Sequence, residues 1–234
     1  MTGRRISIFS FPGVFFCVGE DLDIGRQQVQ ERSRRTREQV LDGAAAEFVR
    51  HGYADATMQA VACRIGMTKG ALYAHFDSKE DLALELVRQF TDGWAGVGGP
   101  VDDTAAQTLH RVTEALAKAL QYDVRTRAAV RLLADGAEVP GTAAALAQIR
   151  HRLIWLIRQA QDEGAVVARH PAEAIARMLL AYAWAWARTS ADPDRGTHRP
   201  APVCEVVEAD WNMLCDLLWT GPRVEPSFGR EEEL

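Results

Sequence analysis

Apolar residues recur at intervals of three and four along nearly the whole chain, and no stretch sustains an alternation of period two. That pattern predicts an all-α protein of nine or ten helices. The first covers about 36–51, with Val40, Ala44, Ala45 and Phe48 on one stripe and Gly52 as its stop. Thr57 is placed to cap a short helix over 58–64 that Gly66 ends, and Thr68 to cap a second reaching about His75. Ser78 then opens a longer helix, with Glu80 and Asp81 in its first turn, where the helix dipole favours negative charge. It runs to about Trp94, ahead of a Gly-rich break over 96–100.

Longer amphipathic helices follow. Leu109, Val112, Leu116 and Leu120 mark one, after Asp103 or Thr104 as cap. A shorter one covers 125–135 and ends before the Pro140-Gly141 turn. Leu146, Ile149, Leu153, Leu156 and Ile157 mark the next, stopped at Gly164. Pro171 starts another, whose stripe is Ile175, Met178, Leu179, Tyr182 and Trp186. A polar, Pro-rich loop over 190–202 precedes a last helix near 204–219. The expected organisation is an extension without fixed structure over 1–30, a three-helix helix-turn-helix domain over 31–80, a helical ligand-binding and dimerisation bundle over 81–220, and a tail without fixed structure over 221–234.

Residues 4–19 are apolar after two arginines, but Pro12 interrupts them and no small-x-small cleavage site follows. They are read as part of the extension, and no other run is apolar enough to cross a bilayer. The expected location is the cytoplasm. Composition is ordinary for a globular chain of 234 residues, at 47% hydrophobic and 25% charged. Net charge is −5, yet residues 26–80 carry +2 and residues 81–234 carry −6. A mildly basic module on an acidic remainder fits a small nucleic-acid reader joined to a domain with another task. The four cysteines are scattered and the six histidines dispersed, so neither a disulfide framework nor a metal site is expected. No Gly-rich phosphate loop, nucleophile elbow or paired-carboxylate constellation occurs, so neither an enzyme nor a cofactor is expected.

The informative stretch is 57–83, TMQAVACRIGMTKGALYAHFDSKEDLA. Two short helices joined at Gly66 make a helix-turn-helix, whose second helix enters the major groove while the first lies across the backbone. Lys69 is suited to guanine O6 and N7. Gly70 and Ala71 have almost no side chain, which lets the helix approach base edges closely. Thr68, Tyr73 and His75 offer donors to phosphate. No acidic residue occurs between Asp55 and Asp77, and Arg32, Arg34, Arg35 and Arg37 stand just before and at the start of the first predicted helix, placed to reach flanking phosphates.

Residues 34–82 resemble the TetR-type DNA-binding domain. The matching pieces are the paired alanines and Phe48 of the first helix, Gly52-Tyr53, Thr57, Gly66, the run Thr68-Lys-Gly-Ala-Leu-Tyr73, His75-Phe76 and Ser78-Lys79-Glu80. The resemblance implies that Lys69 and Gly70 face bases. It implies that Thr57, Thr68, Tyr73, His75 and Lys79 bind phosphate, and that Leu72 and Phe76 pack the reading helix onto its neighbours. The arm over 30–37, the Thr-Lys-Gly-Ala-Leu-Tyr run, Arg131-Leu-Leu-Ala134, the helix end at 161–164 and Trp211 are similar to the γ-butyrolactone receptor branch of actinomycetes. Ala74 departs from an aromatic usual there, and Gln148 stands where that branch has a pocket tryptophan.

The resemblance implies a repressor that binds a palindromic operator as a homodimer, pairs through its last two long helices and releases DNA when a small molecule enters the bundle. A γ-butyrolactone, a butenolide-like signal or an antibiotic-type compound is the implied effector. Trp94, Trp155, Tyr182 and Trp186 are the pocket candidates, with His110, Gln148 or Arg131 as polar partners. Trp184 and Trp186, two apart, are expected on different sides of their helix. A dimeric DNA-binding regulator with no inducer is the alternative.

Overall fold

A computed structural model describes residues 21–96, 103–136, 139, 141–189, 213 and 218–220. Among these residues it is helical, with eight α-helices: α1 (Asp21–Asp55), α2 (Met58–Arg64), α3 (Lys69–Tyr73), α4 (Lys79–Gly96), α5 (Ala105–Tyr122), α6 (Val124–Asp135), α7 (Thr142–Asp162) and α8 (Ala172–Thr189). The only pairing outside helices among them is one antiparallel bridge between Val166 and Trp219. Most of the helix expected over 204–219, with Trp211, lies outside the described residues, as do residues 1–20 and 221–234.

The chain divides between Glu38 and Gln39 into two compact units. In the first, α1 starts at Asp21 rather than near Thr36, so residues 21–30, expected within an unstructured extension, are helical. From Arg26 onward the reason is local; Gly25 also lies within the helix. No glycine or proline interrupts residues 26–42. Glu31 also accepts from Arg34 and Arg35, one turn on, and those guanidinium contacts hold its carboxyl down at about 2.

In the second unit, Val40, Ala44, Ala45 and Phe48, the stripe expected from their spacing, are fully buried along α1, and Leu41 is buried with them. Gly43 sits where α2 crosses; a Cβ there would meet Ile65 Cγ2 at 2.3 Å, so the crossing depends on its absence. The core around α1 takes in Met58 and Val61 of α2, Leu72 of α3, Leu82 and Leu86 of α4, Leu132 of α6 and Ile149 of α7. The boundary expected at 80/81 therefore falls inside one continuous core. A second cluster joins Leu109 of α5 to α7 and α8, and a third surrounds Trp186.

Polar groups fix the helix ends. Thr104 and Gln107 form a reciprocal capping box on α5, and the Glu163 carboxylate, beyond the end of α7, accepts from the next two N–H groups, Ala105 and Ala106, at 2.8 and 3.0 Å. The last expected helix closes before Trp219, whose neighbours Leu218 and Thr220 pair through their backbones with Val167 and Ala165.

Glu47 is a buried acid on α1, with Arg64 of α2 at 3.4 Å and His51 at 3.7 Å. Removing the arginine strands most of a buried charge. Arg64→Ala is expected to destabilise the fold by about 2 kcal/mol, less than the full cost of stranding a fully buried ion pair because the Arg64 side chain is partly exposed. Urea unfolding with an unchanged midpoint would show the pair to be idle.

Candidate functional site

The helix-turn-helix is assembled from two capped turns. Thr57 adopts an extended backbone (φ −129°, ψ 148°), and its hydroxyl accepts from Ala60 N–H, fixing the start of α2. At the far end, Gly66 takes φ 67° while Met67 N–H reaches back to Ala62 C=O at 2.9 Å, which turns the chain sharply. Thr68 repeats the first device, accepting from Ala71 N–H at 3.2 Å. α3 itself is only five residues, shorter than the expected reach to His75. His75 and Phe76 instead close a turn onto Leu72 C=O.

Leu72 at 0% and Phe76 at 4% exposure anchor this turn in the core, which decides what faces out. Lys69, Gly70, Tyr73 and Ala74 are exposed, as are the capping residues Thr57 and Thr68, while Ala71 and His75 are half-buried. The Lys69 ammonium lies 5.7 Å from the centroid of the Tyr73 ring, one turn along. Gly70 is unusual in a different way. A Cβ there would meet no atom within 4 Å, and its φ is not positive. Nothing inside the chain requires a glycine at that point, and a helical glycine costs about 1 kcal/mol relative to alanine.

Lys79 has a task within the chain. Its ammonium donates to Tyr53 and Ala54 C=O at 2.6 and 3.1 Å and lies 4.4 Å from the centroid of the Tyr53 ring. A cation on the free carbonyls closing a helix complements its dipole. Burial, with Glu80 beside it, pushes the Tyr53 phenol up. In the first unit, Arg34 is exposed and bound to Glu31, and Arg37 is half-buried.

The ligand candidates separate into groups. Trp94 packs on Phe90, ring centroids 6.1 Å apart, and its buried indole N–H finds no acceptor among the described residues. Tyr182 meets Trp186 edge to face in the third cluster, and Phe90 belongs to the margins of that cluster and of the main core. Phe90 thus joins Trp94 to the Tyr182 and Trp186 cluster; the sequence reading missed it because it is one more apolar residue on the α4 stripe. Trp184 is half-buried against the margin of the cluster that holds Trp186. His110 lies apart, edge-on to Trp219 at 5.8 Å. Gln148 and Trp155 are exposed on α7. Arg131 is turned toward α1, donating to Val49 C=O, an 82-residue separation that no local pattern signals.

Residues 40–86 match the model of the bacterial regulatory proteins of the tetR family. The A-factor receptor protein of Streptomyces griseus is 32% identical over 112 residues, 48% of this chain and 40% of that one. The chain spans between 33% and 40% of the length of the curated relatives it first matches. Among solved structures, the full-length TetR regulator tylp of Streptomyces fradiae is 30% identical, with a TM-score of 0.53 over 81% of this chain and 82% of that one. A γ-butyrolactone receptor described as ArpA-like is 25% identical, with a TM-score of 0.58 over 79% and 96%.

Proposed function

The chain belongs to the TetR family of bacterial regulators, and from that premise we propose that it represses transcription as a cytoplasmic homodimer on a palindromic operator. The observation that carries DNA binding is the outward face of α3: Lys69, Tyr73 and a glycine that no neighbour requires, on a stretch without a carboxylate. Lys69 reads a base, Gly70 and Ala71 admit close approach, and Thr57, Thr68, Tyr73 and His75 meet phosphate. Lys79 supports them by closing α1. For the first unit, taken by itself, Arg34 and Arg37 meet flanking phosphate. In the dimer, two recognition helices about 34–36 Å apart enter successive major grooves.

The test begins with an operator duplex selected from a randomised pool by the wild-type protein. On it, Lys69→Ala is expected to cost about 1–3 kcal/mol and relax preference at one base pair. Tyr73→Phe is expected to weaken binding on all sequences alike. If neither change moves the titration at fixed salt, the reading face is misplaced.

Release by a small molecule is the second half of the proposal. The A-factor and γ-butyrolactone receptors are receptors by name, and the joined aromatics here suit an apolar ligand. A lactone-type carbonyl near Trp94 would give its buried N–H an acceptor, which none of the described residues supplies. The alternative, a dimeric regulator without an inducer, is favoured by the packing at Trp186, which is 6% exposed among Leu120, Val130, Ala183 and Ala187. A thermal-shift screen of butyrolactones, butenolides and antibiotics separates the two, since a ligand that binds only the folded state raises its melting temperature.

A further inference from the structure

We infer that Asp135 is a relay between α8 and the DNA-reading helices, so that the Arg188–Asp135 ion pair sets how firmly the helix-turn-helix is held. This rests on the operator-release reading above and names the residues through which release would pass.

The relay is built at the Gly52 kink, three residues before α1 ends at Asp55. Arg131 donates to Val49 C=O, and Asp135 Oδ2 accepts from Tyr53 N–H at 3.5 Å, the long end of a hydrogen bond. Both side chains come from the last turns of α6, and both crowd Gly52, whose missing Cβ would stand 3.1 Å from Arg131 Nη2 and 3.4 Å from Asp135 Oδ2. The other oxygen, Asp135 Oδ1, accepts from Arg188 at the end of α8 at 2.9 Å. The carboxylate is thus shared: one oxygen on the backbone that leads into α2 and α3, the other on α8. Further up the same helix, Arg125 binds Asp42 of α1 at 2.6 Å, so α6 grips α1 in two places.

The same two helices carry the aromatic cluster. Val130 of α6 packs beside Trp186 of α8, one residue from Arg131 and two from Arg188 respectively. Anything that separates α6 from α8 at Trp186 therefore pulls on the Asp135–Arg188 pair. A contact at the edge of hydrogen-bond range is one that a small shift makes or breaks. Holding the Tyr53 turn steady favours the DNA-competent orientation of α2 and α3, and loosening it lowers the population of that orientation.

The experiment uses the full chain in four forms: wild type, Arg188→Ala, Asp135→Asn and the double variant, with Arg188→Lys as rescue. The Arg188 side chain is 58% exposed, so its removal does not open the core. Two readouts are taken: amide exchange at Tyr53, and titration of the selected duplex at several salt concentrations. Arg188→Ala is expected to speed Tyr53 exchange and raise the half-saturating protein concentration about fivefold to tenfold, the scale of an allosteric coupling. The salt slope stays at its wild-type value because no phosphate contact is lost. The double variant binds no worse than Asp135→Asn alone, since both changes cut one path, and Arg188→Lys restores binding. A structural role alone would shift melting and leave that non-additive pattern absent. Wild-type exchange at Tyr53 in Arg188→Ala overturns the relay, as does an unchanged titration or a double variant whose losses multiply. If no duplex is selected at all, the operator reading fails, while the Tyr53 exchange still decides whether Arg188 holds the turn.

Discussion

Changing Gly52 to alanine is expected to destabilise the protein by about 3 kcal/mol, lowering its melting temperature by roughly 6–12 °C for a chain of this size. Gly52 has φ 76° and ψ −179°. That combination lies outside the left-handed helical well and is adopted essentially by glycine alone, at a cost to other residues of about 1–3 kcal/mol. Space adds to the penalty. The new methyl would press on Arg131 and Asp135, whose bonds to Val49 and Tyr53 would loosen, and each such bond is worth roughly 1 kcal/mol. Asparagine, which tolerates many left-handed positions, should do little better, because ψ near 180° is not the helical value it favours. Calorimetry on both variants decides; a wild-type melting temperature for Gly52→Ala would mean that the turn is not built as described.

Gly70→Ala is expected to do the reverse to stability and harm to function. A Cβ at Gly70 meets nothing within 4 Å and the backbone is not left-handed, so alanine recovers about 1 kcal/mol of helix propensity. On the selected duplex, the same methyl stands between α3 and the base edges. Operator affinity should fall by about 1–3 kcal/mol, the scale of one lost base contact, which is roughly fivefold to 150-fold. A rise in melting temperature with a loss of binding has no explanation in the free protein. Unchanged binding by Gly70→Ala would place the groove-facing surface elsewhere.

The pieces legible in the sequence are those written locally. Thr57 and Thr68 announce α2 and α3 because a cap needs only its own next turn; Gly66 and Gly164 stop helices through their own positive φ, whereas Gly52, expected as a stop, kinks α1, which runs on to Asp55. The stripe of Val40, Ala44, Ala45 and Phe48 follows from spacing. What the spacing concealed depends on partners far along the chain. Arg131 was a candidate for a ligand pocket, yet it serves the end of α1; Lys79, a phosphate candidate, closes the same end. Asp135 and Arg188 carried no signal, since an acid ending one helix reads as a solvated charge and an arginine ending another as an ordinary dipole partner. The start of α1 was missed because ion pairs one turn apart among charged residues replace the apolar stripe that usually marks a helix.

The unbroken core around α1 has a consequence for how such a protein is recombined. Leu72 and Phe76, which hold the reading turn, share a cluster with Leu132, Leu133 and Ile149. A chimera joined after Lys79 would ask a foreign α6 and α7 to complement side chains they never met. Transplanting the proposed reading face onto another chain of the family means carrying Ala128, Leu132 and Ile149 along with α1–α4, or exchanging only the outward residues of α3 and leaving the seam untouched.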